Sequence, residues 1–213
     1  MASSSMEARS RTIAAAFLIA MLPWLLPAPA AAAAPPSPTG QIRETIDRVI
    51  RILNRPELKS KAKREARQEL LRAEIRPAFD FGEMAKRSLG VHWRKRSPEE
   101  RERFTKLFAE LLENTYLGKI ESYKGEKIRY VGESLDLPYA VVKTVIVTSR
   151  EEEIPLDYRV MLEGDRWRIY DVAIEGISLV NNYRSQFGGI LQNSSFDELV
   201  KRLRTTVRES GGA

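Results

Sequence analysis

Cysteine is absent from the 213-residue chain, and histidine occurs once. The first absence excludes disulfide frameworks, thiolate nucleophiles, Cys-ligated zinc, iron–sulfur clusters and a lipid-bearing Cys at a processed terminus. The second leaves no multi-His metal site. The single residue, His92, precedes Trp93, Arg94, Lys95 and Arg96 with no carboxylate beside it, so it reads as a surface or capping residue. Asp136 and Asp157 stand in no recognisable catalytic frame. Nothing resembles the phosphate-binding GxxxxGK[ST] loop, and Gly176 and the pair Gly188-Gly189 read as backbone turn positions. No catalytic residue, metal or cofactor is expected. What remains is a composition 43% hydrophobic and 30% charged, with 35 Lys and Arg against 29 Asp and Glu and a net charge of +6. That is too apolar for a disordered chain and has no fibrous repeat.

Arg9 and Arg11 form a basic start, Ile13 to Leu22 is an apolar run followed by Pro23, Leu25 and Leu26, and Ala28-Pro29-Ala30 opens a small-residue stretch to Ala34. This is the pattern of a cleaved secretory signal peptide over residues 1–34. The run is shorter than the roughly 18 residues a spanning helix needs. Removing it deletes Arg9, Arg11 and Glu7 and leaves a net charge of +5. Residues 35–40 read as a Pro-rich spacer, 41–208 as the folded domain and 209–213 as a flexible tail.

Within the domain, Ile42, Ile46, Val49, Ile50 and Leu53 make one helical stripe that ends at Pro56. A charged helix is expected over Glu57 to about Arg76, with Leu58, Ala62, Ala66, Leu70 and Ala73 on its apolar side. Asp80 and Glu83 have capping-box spacing for a short helix closed by Gly90. Ser97, Pro98 and Glu100 open a long helix to about Tyr123. The period then changes to two, which predicts strands at Lys127 to Ser134, Tyr139 to Thr148, Ile154 to Leu162 and Trp167 to Ile174. The second and fourth are apolar on both faces, as in a sheet covered on each side. Helices over Leu179 to Phe187 and Phe196 to Val207 close the chain, the latter with Ser195 and Glu198 in capping-box positions. The fold class is α+β: a curved, mostly antiparallel sheet wrapped by helices in a single domain.

Two groups of residues carry a resemblance. One is Phe79-Asp80-Phe81, Met84, Leu89-Gly90, Trp93, Ser97-Pro98-Glu99-Glu100, Phe104, Phe108, Leu111-Leu112 and Thr115-Tyr116; the other runs from Trp167-Arg168-Ile169-Tyr170-Asp171-Val172 through Ile174-Glu175-Gly176-Ile177-Ser178-Leu179-Val180 to Asn182-Tyr183-Arg184-Ser185-Gln186-Phe187. Together they resemble the MlaC family, also called the toluene-tolerance auxiliary component of ABC transport systems. The resemblance covers about Ile42 to Leu203. It implies a monomeric NTF2-like periplasmic protein without cofactor. Such a protein would shuttle phospholipid between an inner-membrane ABC transporter complex and an outer-membrane lipoprotein complex of the Mla type, maintaining outer-membrane lipid asymmetry.

For such a pocket the candidate lining is Phe108, Leu111, Leu112 and Tyr116 from the long helix, Val145, Val147, Tyr158, Val160, Trp167 and Ile169 from the sheet, and Ile177, Val180, Tyr183 and Phe187 from the closing segment. An apolar stripe is equally what a filled core requires. Asp171 and Arg184 are expected either to form a structural ion pair or to leave Arg184, with Asn181 and Asn182, near a lipid phosphate. Arg94, Lys95 and Arg96 are candidates for partner docking. The basic segment Lys59 to Arg72 is diluted by Glu65 and Glu69 and reads as a solvated face, not a nucleic-acid site. Two alternatives stay open: a hopanoid carrier of the same fold, and an NTF2-like enzyme with an acid–base pair in its pocket.

Overall fold

Ser37 turns the chain into its first helix. Its Oγ accepts from the Gly40 N–H at 3.2 Å, Pro38 occupies the first turn, and α1 runs Pro38–Leu53. The helix therefore begins inside the segment read as a spacer, because Ser-Pro is a helix start as readily as a stiff linker. The computed structural model describes residues 37–211, so the signal-peptide segment lies outside the described residues. The α1 stripe divides. Ile42 and Ile46 pack on the sheet, whereas Val49, Ile52 and Leu53 join Leu58, Leu71, Ile75 and Leu117 in a separate small cluster.

The expected second helix is broken. Two 3-10 turns, Pro56–Leu58 and Lys61–Lys63, precede α2 at Arg64–Ile75. Ser60 is extended between them, where Lys59 and Lys63 would meet as like charges one helical turn apart and no large apolar side chain follows Leu58 until Leu70. The buried face is also rotated from the expected one: Leu71 is fully buried and Leu70 exposed. Ion pairs complete the contact with α4 (Pro98–Glu121). Glu113 holds Arg76 and Arg72, and Glu121 holds Arg67, Arg64 and Gln68.

Asp80 caps α3 (Phe81–Leu89) by accepting from the Glu83 N–H at 2.8 Å. Only half of the expected capping box forms. The Asp80 N–H donates instead to the Ile169 carbonyl, and the Glu83 carboxylate pairs with Lys86 and Arg87. Ser97 and Glu100 make the reciprocal box at the head of α4. Helix α5 (Leu179–Asn193) runs through Gly188 and Gly189, which are helical rather than turn residues. Helix α6 (Phe196–Gly211) carries residues 209–211, read as tail, within its last turn. Helices α3 to α6 share one apolar cluster, in which Phe104 contacts Phe108, Phe187 and Phe196 with ring centroids 5.5 to 6.0 Å apart.

The sheet is an antiparallel meander in chain order: β1 Lys127–Asp136, β2 Tyr139–Val147, β3 Glu153–Glu163, β4 Arg166–Ile174 and β5 Ile177–Ser178. Glu175 and Gly176, at φ 51° and 81°, form the two-residue turn into β5, a strand too short to leave a periodic signal. Bulges at Val131 in β1 and Tyr170 in β4 shift the register by one residue. In β4 this switches parity, so Trp167 and Ile169 before the bulge share a face with Val172 and Ile174 after it. A strand that looks apolar on both sides thus keeps its large apolar residues mostly on one. The described elements are α+β, as expected.

Burial pushes the Glu121 carboxyl upward, but its hydrogen bonds from Gln68 and Arg67 and the charges of Arg67 and Arg64 outweigh this and hold it below the ordinary 4.5. A lowered folded-state value stabilises at pH above the unfolded value, and that stability is lost as pH falls through the folded one. Urea midpoints should therefore hold from neutral pH down to about 5 and decline below 4.5. The decline should be shallower in Glu121→Gln, measured by circular dichroism.

Candidate functional site

Strand register divides the sheet into two faces. On the inner face Ile128 lies opposite Ile146 and Ile146 opposite Ile154; Thr144, Leu156 and Ile174 form the next row, then Val142, Tyr158 and Val172, then Ala140, Val160 and Ile169. Burial is uneven along this face. Ala140, Val160, Trp167 and Ile169 are each at most 3% exposed, packed with Ile42 of α1. At the other end Ile128, Ile146, Ile154, Leu156 and Ile174 are only half-buried. These five aliphatic side chains stay partly in reach of water, which forgoes part of the usual stabilisation from removing apolar surface from it. Charge reaches this face at its β1 margin, where Glu133 pairs with Val142 and the Arg43 guanidinium lies 4.2 Å over the Tyr130 ring. Thr144 Oγ1 donates to the Leu156 carbonyl at 2.7 Å, and burial raises the phenols of Tyr158 and Tyr130 above their ordinary value.

The sequence-derived lining separates into groups. Phe108, Leu111, Leu112, Val180 and Phe187, with Tyr116 and Tyr183 at the margin, lie in the helical cluster. Val160, Trp167, Ile169 and the half-buried Tyr158 lie on the inner face of the sheet. Phe79, absent from the expected lining, packs against both clusters. Val145 and Val147 do not join them: they pair with Pro155 and Glu153 and lie on the outer face. Period-two alternation allowed either face, and the register selects Ile146 instead. Ile177, in β5, is 65% exposed. Ile128, Ile146, Ile154, Leu156 and Ile174 were not in the expected lining, although the period-two alternation of four strands held their signal.

On the outer face Asp171, 2% exposed, accepts Arg159 Nη1 at 2.9 Å, Ser178 Oγ at 2.6 Å and the Val180 N–H at 3.0 Å. The partner is Arg159, not Arg184 as expected. Counting back from the Glu163–Arg166 pair without a bulge would set Arg159 against Tyr170, and the bulge moves it to Asp171. Arg184 lies instead over Gly90, where a Cβ would sit 3.0 Å from its Nε. Gly90 has φ +54°, so glycine is required there for both space and backbone. The basic triplet is divided too. Arg94 and Lys95 are exposed, but Arg96 is half-buried, 4.7 Å over the Phe196 ring and 3.4 Å from Glu100. Asn181 and Asn182 are exposed on the first turn of α5. A cleft of about 620 Å³ gathers Arg94, Arg159, Asp171, Asn181 and Arg184 with Glu83, Lys86, Arg87, Trp93 and Tyr170. Arg87 stacks on the Tyr170 ring at 4.3 Å.

Among the described residues no group of three or more Asp, Glu or His could hold a metal ion. No described helix is long and apolar enough to cross a membrane.

An antiparallel meander with one apolar face partly covered, flanked by a helical cluster, defines an α+β domain. Residues 43–205 match the family model described as MlaC protein, and the chain belongs to that family. Among curated proteins, the intermembrane phospholipid transport system binding protein MlaC of Haemophilus influenzae is 22% identical over 178 residues, spanning 81% of this chain and 83% of that protein. Among solved structures, the phospholipid-binding protein from Ralstonia solanacearum in complex with a phospholipid superposes with a TM-score of 0.72 at 24% identity, covering 81% of this chain and 97% of that one.

The Asp171 node predicts unequal costs. Asp171→Ala leaves the Val180 N–H and the Ser178 hydroxyl without their acceptor and Arg159 without its counter-ion, and should cost about 3 kcal/mol in urea unfolding. Arg159→Ala should cost about 1 kcal/mol, since its side chain is 38% exposed and the carboxylate keeps its other two donors.

Proposed function

We propose that this protein is a periplasmic carrier that binds phospholipid acyl chains against the half-buried inner face of the sheet. In this reading it exchanges its lipid with an inner-membrane ABC transporter complex and an outer-membrane lipoprotein complex of the Mla type, and so maintains outer-membrane lipid asymmetry. One observation carries it: in a chain of the MlaC family, Ile128, Ile146, Ile154, Leu156 and Ile174 form an aliphatic face that the fold leaves incompletely buried. The ligand class follows the relatives, one named for phospholipid transport and the other solved with a phospholipid. The periplasmic location follows the signal-peptide pattern of residues 1–34.

Transport physics supports a carrier. Two sixteen-carbon chains hold roughly 30 methylenes, whose exposure at about 0.8 kcal/mol each would cost on the order of 24 kcal/mol. A pocket about as apolar as a bilayer makes exchange nearly thermoneutral, leaving direction to the partners. The five aliphatic residues, with the phenols of Tyr130 and Tyr158 raised by burial, offer an acyl chain apolar contact. Arg94 and Lys95 would assist docking through charge, an effect that fades with salt.

Native mass spectrometry of the mature protein purified from a bacterial periplasm, followed by lipid extraction, tests this. Co-purified phospholipid is expected, a hopanoid would change the ligand class, and a protein still empty after incubation with phospholipid vesicles would overturn the reading. Leu156→Trp separates a pocket from a core. Into a lipid space the ring should enter with little change in unfolding midpoint and displace lipid, whereas into a filled core it would cost about 1–3 kcal/mol.

A further inference from the structure

The outer-face cleft is lined by five cations, Lys86, Arg87, Arg94, Arg159 and Arg184, against two carboxylates, Glu83 and Asp171. Both carboxylates are spent. Glu83 holds Lys86 and Arg87 at 2.8 Å, and Asp171 holds Arg159 at 2.9 Å. Arg94 and Arg184 have no carboxylate partner among the described residues. Arg184 is nevertheless placed beside Gly90 at the end of α3, where a Cβ would sit 3.0 Å from its Nε and 3.4 Å from its Cζ and Nη2. The N-terminus of α5 is not the anion seat, because its Val180 and Asn181 amides already donate to Asp171 and Ser178.

We propose that this cleft is an oxyanion seat for a phosphate ester, held by Arg94 and Arg184 with the Asn181 side chain beside them. The chemistry fits: guanidinium forks pair with phosphate oxygens two at a time, and a fork already packed on a glycine loses little freedom on binding. At about 620 Å³ the cleft has room for the alcohol side of the ester. The site lies on the opposite face of the sheet from the aliphatic stretch, so it is separate from the acyl-chain site and goes beyond the carrier reading. A phosphate ester can reach it as a lipid head group at a membrane surface or as a soluble molecule.

Two arms distinguish the sources. The mature protein is titrated with glycerol 3-phosphate while amide shifts of Gly90 and Asn181 are followed by NMR, and it is co-sedimented with phosphatidylcholine vesicles containing phosphatidylglycerol. Saturable glycerol 3-phosphate binding supports a soluble ester; vesicle binding without it supports a lipid head group. In either case the double variant Arg94→Gln/Arg184→Gln should bind about ten- to hundredfold more weakly, the loss expected for charged hydrogen bonds. Lys61→Gln/Lys63→Gln, which removes the same charge from the 3-10 turn before α2, should bind as the parent does. Equal weakening of both double variants would show diffuse attraction and overturn the proposal, as would no binding in either arm. The titration of the unsubstituted protein needs no variant to fold. A protein that carries no acyl lipid but binds glycerol 3-phosphate would sink the carrier reading and leave this site standing.

Discussion

The carboxylate of Asp171 takes hydrogen bonds from three elements: the Arg159 guanidinium of β3, the Ser178 hydroxyl at the end of β5 and the Val180 N–H in the first turn of α5. A buried charge is tolerated only when such donors replace its water. Because they come from different elements, satisfying this one group fixes the angle at which α5 leaves the sheet. Leu179 then packs on the sheet cluster and Val180 on the helical cluster, so consecutive residues join the two apolar regions. Phe79 does the same from the other side, in a parallel bridge to Ile169.

That arrangement depends on the bulge at Tyr170. Without it Asp171 would fall on the inner face, among Val160 and Ile169, with no cation to meet it. With it, the outer face carries the ion pair and the inner face stays apolar along the whole strand. The two faces therefore acquire different chemistry. The inner one is mainly apolar, with phenols and a threonine whose hydroxyl is committed to a backbone carbonyl, and Glu133 at its β1 margin. The outer one carries a cationic cleft whose two carboxylates are already paired. Ligands as unlike as acyl chains and phosphate can be kept apart by one sheet about a single residue thick.

Much of the architecture was legible in the residues. Ser97, Pro98 and Glu100 specify a helix start through local hydrogen bonds that need no distant partner, and the box forms as spaced. The change of period at residue 126 marked the sheet, and Phe104, Phe108, Leu111 and Leu112 marked a buried helix face. Errors came where two local readings had similar energy. Ser37-Pro38 reads as spacer or cap, and Gly188-Gly189 as turn or as helix interior, where the surrounding Phe187, Ile190 and Leu191 decide by packing on α3 to α6. The α2 segment failed because its charges gave no strong preference for either face, and Glu113 and Glu121 of α4 oriented it from outside.

Sequence alone determined most of the elements, the exclusion of cysteine chemistry and the supply of apolar side chains, because capping, periodicity and the absence of Cys act within a few residues or by composition. It could not determine which of two alternating sets in β2 faces inward, that Asp171 meets Arg159, or that Arg184 is left without a carboxylate over Gly90. Those depend on register, and a bulge changes register by one residue without leaving a periodic trace. Nor does a stripe of aliphatic residues say whether it is filled or open. That depends on how far a neighbouring helix reaches, and α1 closes the Val160 and Trp167 end while leaving Ile146, Leu156 and Ile174 half covered.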